Sequence, residues 1–191
     1  LLGGNEETQT GGEYAGLNMI LASGKSASAS HLTPTDKIFK DNEGTIIELG
    51  GVKHRYHCAL SRTVYIGKPD HKIEETLKIT NEGIERAIEK TKPGNTCHDV
   101  AVAFWDVLEK YGVEKESRCG YSIGLGYPPD WGEHTLSIRK NEKTVLHPGV
   151  TFHLMAGMWM DTWGLELSES IRLTENGCEL FCNFPRNLHQ V

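Results

Sequence analysis

Residues 120–133 constrain the fold of this chain most, because no helix and no central β-strand can continue through their two prolines. They read Gly-Tyr-Ser-Ile-Gly-Leu-Gly-Tyr-Pro-Pro-Asp-Trp-Gly-Glu. Proline lacks the amide hydrogen that both elements need, and glycine adopts backbone conformations that other residues avoid. The stretch predicts a rigid, irregular segment that carries Asp130, Trp131 and Glu133. Aromatic rings beside carboxylates on such a segment are typical of a small-molecule pocket, and a structural connection with core aromatics is the alternative.

The rest of the chain predicts strands, then two helices, then strands again, which is the order of an α+β fold. Apolar residues at helical spacing predict one helix over 70–91 and another from the N-cap Thr96 to Gly112. The charged residues of both helices are predicted to face solvent. Runs of β-branched and apolar residues predict strands at 14–22, 45–50, 56–66, 135–138, 150–160, 163–168, 170–174 and 178–182.

Composition limits the partners of this chain. The 191 residues carry a formal charge of -6 without a Lys/Arg cluster, which argues against nucleic acid or an anionic membrane as a partner. No apolar run approaches the length of a membrane span. The five cysteines are odd in number and suit reduced thiols, so we expect a cytoplasmic protein. The expected partner is a small molecule, because residues 120–133 are typical of a small-molecule pocket. The chain starts without methionine and is expected to be a piece of a longer polypeptide.

Several acidic and imidazole side chains lie in strand or pocket contexts. Glu48 interrupts a strand that is otherwise apolar, where an unpaired charge is costly, so it needs a partner or a function. His31 ends a run of small residues, 23–31, that lets a backbone lie close to a ligand. A buried histidine is often only a hydrogen-bonded core residue, and such carboxylates are often structural ion pairs. The further candidates are Asp130, Glu133, His153, Asp161, Glu166 and Glu169.

Common catalytic motifs are absent from the sequence. There is no phosphate-binding P-loop, no G-x-G-x-x-G fingerprint, no G-x-S-x-G elbow and no H-E-x-x-H. Cys178 and Cys182 have no matching Cys/His pair, so a structural zinc site is weakly supported.

An ordered series of short motifs resembles the creatinase/aminopeptidase P family, whose fold is called pita-bread. The motifs are residues 45–50, 58–63, 92–94, 120–124, 148–150, 164–169 and 174–177. Residues 124–133, 152–155 and 163–166 are most similar to ectoine hydrolase-like members. The resemblance implies a curved, mostly antiparallel sheet with helices on its outer face. It also implies that residues 1–191 are a C-terminal catalytic domain, without its first helices and any N-terminal domain, in a homodimer.

Peptidases of this family bind two metal ions through two Asp, one His and two Glu. In register with those motifs, the five positions hold Glu48, Ala59, Tyr121, Met155 and Ser168. One possible ligand of the five remains, and metal sites of this kind need several anionic oxygen or imidazole donors. We therefore predict no catalytic metal and no cofactor.

Metal-free members of the family cleave C–N bonds in small polar substrates with side chains alone. The resemblance implies a metal-independent hydrolase of an amidine or amide, with Glu48 as nucleophile or general base and His31 as donor to a developing oxyanion. Alternatives are a metal-dependent Xaa-Pro aminopeptidase or dipeptidase, and a non-catalytic binding protein on the same fold. The remaining predicted site residues are Glu133 and Glu169 as catalytic groups and Tyr121, Asp130, Trp131, His153 and Trp163 as substrate-binding groups.

Overall fold

The computed structural model describes residues 14, 16, 17 and 20–191. The N-terminal half contains β1 (Ile20–Ser23), a short 3-10 helix (Gly24–Ser28), β2 (Glu43–Lys53), β3 (Tyr56–Ile66), α1 (His71–Lys90) and α2 (Cys97–Lys110). The C-terminal half contains β4 (Gly120–Ile123), β5 (Gly132–Ile138), β6 (Thr151–Trp159), β7 (Gly164–Leu173), β8 (Cys178–Leu180) and β9 (His189–Gln190). The α+β prediction is confirmed.

Both helices begin at capped residues: Thr96 is the cap that the sequence predicts, and Asp70, predicted as the first helical residue, is the cap of α1. The Asp70 side chain accepts a hydrogen bond from the Lys72 amide at the start of α1, and Thr96 forms a capping box with Asp99 at the start of α2. Their buried stripes pack against one face of the sheet formed by β6 and β7, in a core that includes Ile84 and Phe104. No helix in the described part of the chain is long and apolar enough to cross a membrane.

The strands form two sheets that meet at β3 and β7. One sheet has the order β1-β2-β3-β9 and the other has the order β5-β4-β6-β7-β8. Hydroxyl groups connect the two central strands: Thr63 Oγ1 bonds to both the amide and the carbonyl of Glu166. Ser168 Oγ accepts a hydrogen bond of 2.6 Å from the Ser61 amide. These bonds bring β2 and β3 beside β7, although the strands are far apart in sequence.

Alternation along β7 separates its two glutamates. Side chains of successive strand residues point to opposite faces of a sheet. Leu165, Leu167 and Ile171 pack into the helical core, and Glu169 shares their phase. Glu166 therefore points to the face away from the helices, toward β2.

The predictions for residues 163–174 and for residues 120–133 were wrong in their boundaries. The strands predicted at 163–168 and 170–174 are one continuous strand, β7, because the charge of Glu169 is paired with Arg62 and does not interrupt burial. Residues 120–133 are only partly irregular, since they begin with β4, which is hydrogen-bonded on both sides, and end in β5. At Gly120 a Cβ would lie 2.9 Å from the carbonyl oxygen of His153, so glycine permits this close pairing.

Candidate active site

Two buried carboxylates face each other between the sheets. Glu48 on β2 and Glu166 on β7 are 4% and 3% exposed, and they lie close enough for each to shift the pKa of the other. Burial raises the pKa of both groups, and the negative charge of Glu166 raises the pKa of Glu48 further. Two buried carboxylates that interact in this way do not both ionise readily, so near neutral pH the pair holds one proton. One member can then act as an acid while the other acts as a base or nucleophile.

The carboxylate pair forms the polar floor of a small cavity, which we call the catalytic cavity. Apart from the two glutamates, its lining residues are Ile20, Ala22, Ala29, Ser30, His31, Ile46, Met155 and Trp159. His31 is exposed and takes a left-handed backbone conformation, with φ of 58°. The small residues before it pack tightly, since a Cβ on Gly164 would collide with the carbonyl oxygen of Ala27. The structure thus brings His31 to the cavity of Glu48.

A neutral hydrogen-bonded chain lies beside this pair. Trp131 Nε1 donates to Tyr121 Oη at 2.7 Å, and Tyr121 Oη lies 3.0 Å from His153 Nδ1. Complete burial lowers the pKa of His153 to about 3, so its ring is neutral and Nδ1 accepts the Tyr121 proton. Burial, and then the charge of Glu48, raise the pKa of Tyr121. This chain fixes ring positions and holds no mobile charge at neutral pH.

Four of the five positions aligned with family metal ligands hold groups that do not suit a metal. Ala59 and Tyr121 lie in one apolar cluster with Trp131, and Met155 packs against that cluster. The Ser168 hydroxyl is bonded to backbone. Within the described residues there is no group of three or more His, Cys, Asp or Glu side chains that could hold a metal ion. The residues present do not fit a dinuclear centre.

Comparison with known proteins now places this site in a family. The sequence profile of metallopeptidase family M24 matches residues 4–175. The chain belongs to metallopeptidase family M24. The resemblance seen in the sequence motifs, including the likeness to ectoine hydrolase, is confirmed.

Two curated relatives illustrate the range of the M24 family around this chain. The ectoine hydrolase of Halomonas elongata is 48% identical over 179 residues, which are 93% of this chain and 45% of the relative. An Xaa-Pro dipeptidase of Pyrococcus furiosus is 26% identical over 181 residues, which are 93% of this chain and 51% of the relative. The chain thus spans about half the length of the curated relatives it matches.

Solved M24 structures share the fold of this chain. A prolidase from Thermococcus sibiricus aligns with a TM-score of 0.89 at 22% identity, covering 97% of this chain and 50% of the other. An X-Pro aminopeptidase from Thermotoga maritima aligns with a TM-score of 0.86 at 25% identity, covering 95% and 50%. The pita-bread architecture is confirmed.

Two of the predicted site residues of this M24 chain stabilise the irregular loop and do not line the catalytic cavity. The exposed Glu133 accepts a hydrogen bond from the Leu125 amide at 3.1 Å. Asp130 accepts one from the Gly132 amide at 2.8 Å and lies 2.7 Å from His134 Nε2. These contacts fix the ends of the loop, so the structure gives both carboxylates a local structural role.

Two more of the predicted site residues lie outside the catalytic cavity. Glu169 is buried against Arg62 at 2.7 Å and lies 3.7 Å from Arg186. Burial still raises the pKa of Glu169, despite the charge of Arg62. Trp163 packs against the helical core, with the Lys72 ammonium 5.3 Å from its ring centroid. Neither residue reaches the catalytic cavity of the M24 site.

The sequence interpretation named Glu166 among the candidate carboxylates but did not select it, and it did not consider Trp159. Strand alternation was the available signal for Glu166. Residues 166 and 168 share a face of β7, and 168 aligns with a metal ligand of the M24 peptidases. Because every second residue of a strand faces the same side of the sheet, Glu166 lies on the side of the site and Glu169 lies on the opposite side.

Proposed function

We propose that this M24 chain carries the catalytic residues of a metal-independent hydrolase that cleaves a C–N bond in a small polar amidine or amide. The observation that carries the proposal is the buried Glu48–Glu166 pair, in which Glu48 aligns with a metal-ligand position of the family's peptidases. A pair that shares one proton supplies both an anion and an acid within one cavity.

The pair supports a two-step reaction in which every proton has a place. In the first step the shared proton moves from Glu48 to Glu166, and an oxygen of the ionised Glu48 bonds to the electrophilic carbon. Glu166 then gives that proton to the leaving nitrogen, and the C–N bond breaks with its electron pair on that nitrogen. In the second step water adds to the same carbon and gives its proton to Glu166. The bond to Glu48 then breaks, which restores the carboxylate and the shared proton.

Neighbouring groups of the cavity favour this chemistry. His31 lines the cavity and can donate to charge that develops on the substrate. Ile46, Met155 and Trp159 supply apolar walls, which exclude water and strengthen electrostatic interactions inside. The neutral chain through Tyr121 supports the adjoining wall. Trp131 and His153, which belong to that chain, remain candidates for contacting the substrate.

The substrate class follows from the similarity to ectoine hydrolase. A relative of that name is 48% identical across nearly the whole chain, so ectoine or another compact cyclic amidine is the proposed substrate. The proposal also includes the homodimer and the assignment of this chain to a C-terminal catalytic domain, which rest on the family resemblance. The expected cytoplasmic location rests on the cysteines, which suit reduced thiols.

Turnover of ectoine without metal tests the proposal. The full-length protein that contains this chain is treated with chelator, its metal content is measured by elemental analysis, and ring opening is followed by NMR. We expect unchanged turnover with metal far below one ion per chain. Turnover that requires two added metal ions per chain would favour the Xaa-Pro peptidase alternative. Ectoine binding without turnover would favour a binding protein on the same fold.

A further inference from the structure

The catalytic cavity has a larger neighbour on the other side of Trp159, which we call the outer groove. The cavity volume is about 10 Å³, which suffices for about one water molecule, and the groove volume is about 740 Å³. Trp159 belongs to the lining of both. The lining of the groove also includes Lys72, Lys115, Ser117, Gly157 and Trp163.

Trp159 is held in position from two directions. Its ring atoms Cζ2 and Cη2 lie where a Cβ on Gly157 would be, so the indole rests directly on the backbone of β6. The Lys115 ammonium lies 4.9 Å from the ring centroid and donates hydrogen bonds of 2.6 Å to both the Gly157 carbonyl and Ser117 Oγ. A cation fixed over an indole ring is an attractive contact that restricts the ring.

The same stretch of β6 connects this contact to the carboxylate pair. Gly157 lies directly opposite Glu166 in the ladder between β6 and β7. A movement of the indole away from Gly157 therefore opens space beside Glu166. A substrate group that extends beyond the cavity toward the outer groove needs such space, and open volume lies behind Trp159.

We propose that Trp159, held by Lys115 against Gly157, determines the largest substrate that the Glu48–Glu166 site accepts. The inference rests on the proposed function and adds a limit on substrate shape. Compact cyclic amidines or amides are accepted, and derivatives with a bulky group directed toward the outer groove are excluded. In this arrangement Trp159 is a specificity residue, and Lys115 is a positioning residue that acts through the indole.

A series of cyclic amidines with hydrogen, methyl, propyl and phenyl substituents tests the size limit in the full-length protein. In wild type, kcat/KM falls steeply with substituent size. In Trp159→Ala the ratio of kcat/KM for the propyl compound to that for the parent rises by about tenfold or more, the usual effect of a few methylene groups in a pocket. Gly157→Ala, whose Cβ displaces the indole, is expected to move the ratio in the same direction.

Lys115→Met tests the positioning role separately. A loosened indole raises KM for the parent substrate several-fold with a smaller change in kcat, and Lys115→Arg restores most of the affinity. Lys72→Met is the matched control, because Lys72 lies over Trp163 in the same groove and contacts neither glutamate. A size ratio that stays unchanged in both Trp159→Ala and Gly157→Ala would overturn the proposal.

Equilibrium binding separates failure of this proposal from failure of the proposed function. The affinity of the same series is measured by calorimetry in wild type and in Trp159→Ala. If wild type hydrolyses none of the compounds, the proposed reaction is wrong, yet the size limit still predicts tighter binding of the propyl compound to the variant. If wild type hydrolyses the parent but binding and turnover keep the same size dependence in every variant, only the assignment of Trp159 is wrong.

Discussion

Glu48→Gln is expected to lower kcat by about 10³-fold or more while the substrate still binds. Glutamine has nearly the same shape as glutamate, but its amide neither attacks carbon nor shares a proton with Glu166. Glu48 is 4% exposed, so a buffer anion does not take the place of the lost carboxylate. Steady-state kinetics with ectoine or the best amidine substrate, together with calorimetric binding, measure both parts of the prediction.

Two comparison variants make this result specific. Glu179→Gln alters an exposed carboxylate on β8 that pairs with Arg172, so its kcat should stay within twofold of wild type, as expected for such surface pairs. Glu166→Gln should lose turnover with amine leaving groups, because it removes the acid of the first step, and should still release about one equivalent of a leaving group that needs no proton. A Glu48→Gln protein with more than a tenth of wild-type kcat would contradict the assignment of Glu48.

The second large effect is on stability as a function of pH. Burial raises the pKa of Glu48 and Glu166 in the folded chain above the value near 4.5 of an exposed glutamate, so the folded state holds more protons than the unfolded state. The free energy of unfolding must then fall as pH rises from about 4.5 through the raised values, by up to about 1.4 kcal/mol per pH unit for each proton. Glu169 contributes with the same sign.

His153 gives the opposite slope on the acid side. Its pKa is about 3 in the folded chain against 6.5 for an exposed imidazole, so the unfolded state takes up a proton first as pH falls below 6.5. Stability is therefore lost toward acid through His153 and toward neutral and higher pH through the glutamates. The two contributions overlap between pH 4.5 and 6.5.

Urea unfolding at pH 5.5 and 7.5 measures the glutamate contribution. Glu166→Gln removes one titrating group of the pair, so its free energy of unfolding should fall less than that of wild type between pH 5.5 and pH 7.5. The difference between the two decreases should be about 1 kcal/mol or more. Glu179→Gln serves as the control and should show the wild-type dependence. An identical pH dependence in wild type and Glu166→Gln would mean that the pair does not hold a shared proton.

Local signals allowed most of the fold to be predicted from sequence. Asp70 and Thr96 are capping residues directly before apolar stripes, and both helices begin at the residue after them. The strand over 56–66 was predicted with the bounds that the structure has. β7 was divided wrongly because a glutamate in a strand signals an interruption, whereas its partner Arg62 comes from a strand far earlier in the chain.

The candidate site was only partly predictable for the same reason. An isolated carboxylate in an apolar strand indicated that Glu48 needs a partner or a function, and that conclusion required only neighbouring residues. Identifying Glu166 as the partner required the contact between β3 and β7, which depends on hydroxyl groups of Thr63 and Ser168. The role of Trp159 depends on Lys115 and Gly157, which no sequence periodicity connects.

A denaturing mass spectrum of the full-length Glu166→Gln protein tests the central claim most directly. The probe is an activated aryl ester that carries the same acyl group as the substrate. Its phenolate leaving group needs no proton, so the first step proceeds, whereas the second step lacks its base. The account predicts a burst of released phenol and a stoichiometric acyl adduct on the peptide that contains Glu48. The adduct should be absent from the Glu48→Gln, Glu166→Gln double variant. Steady phenol release without a burst, and an unmodified mass at every quench time, would contradict covalent catalysis by Glu48.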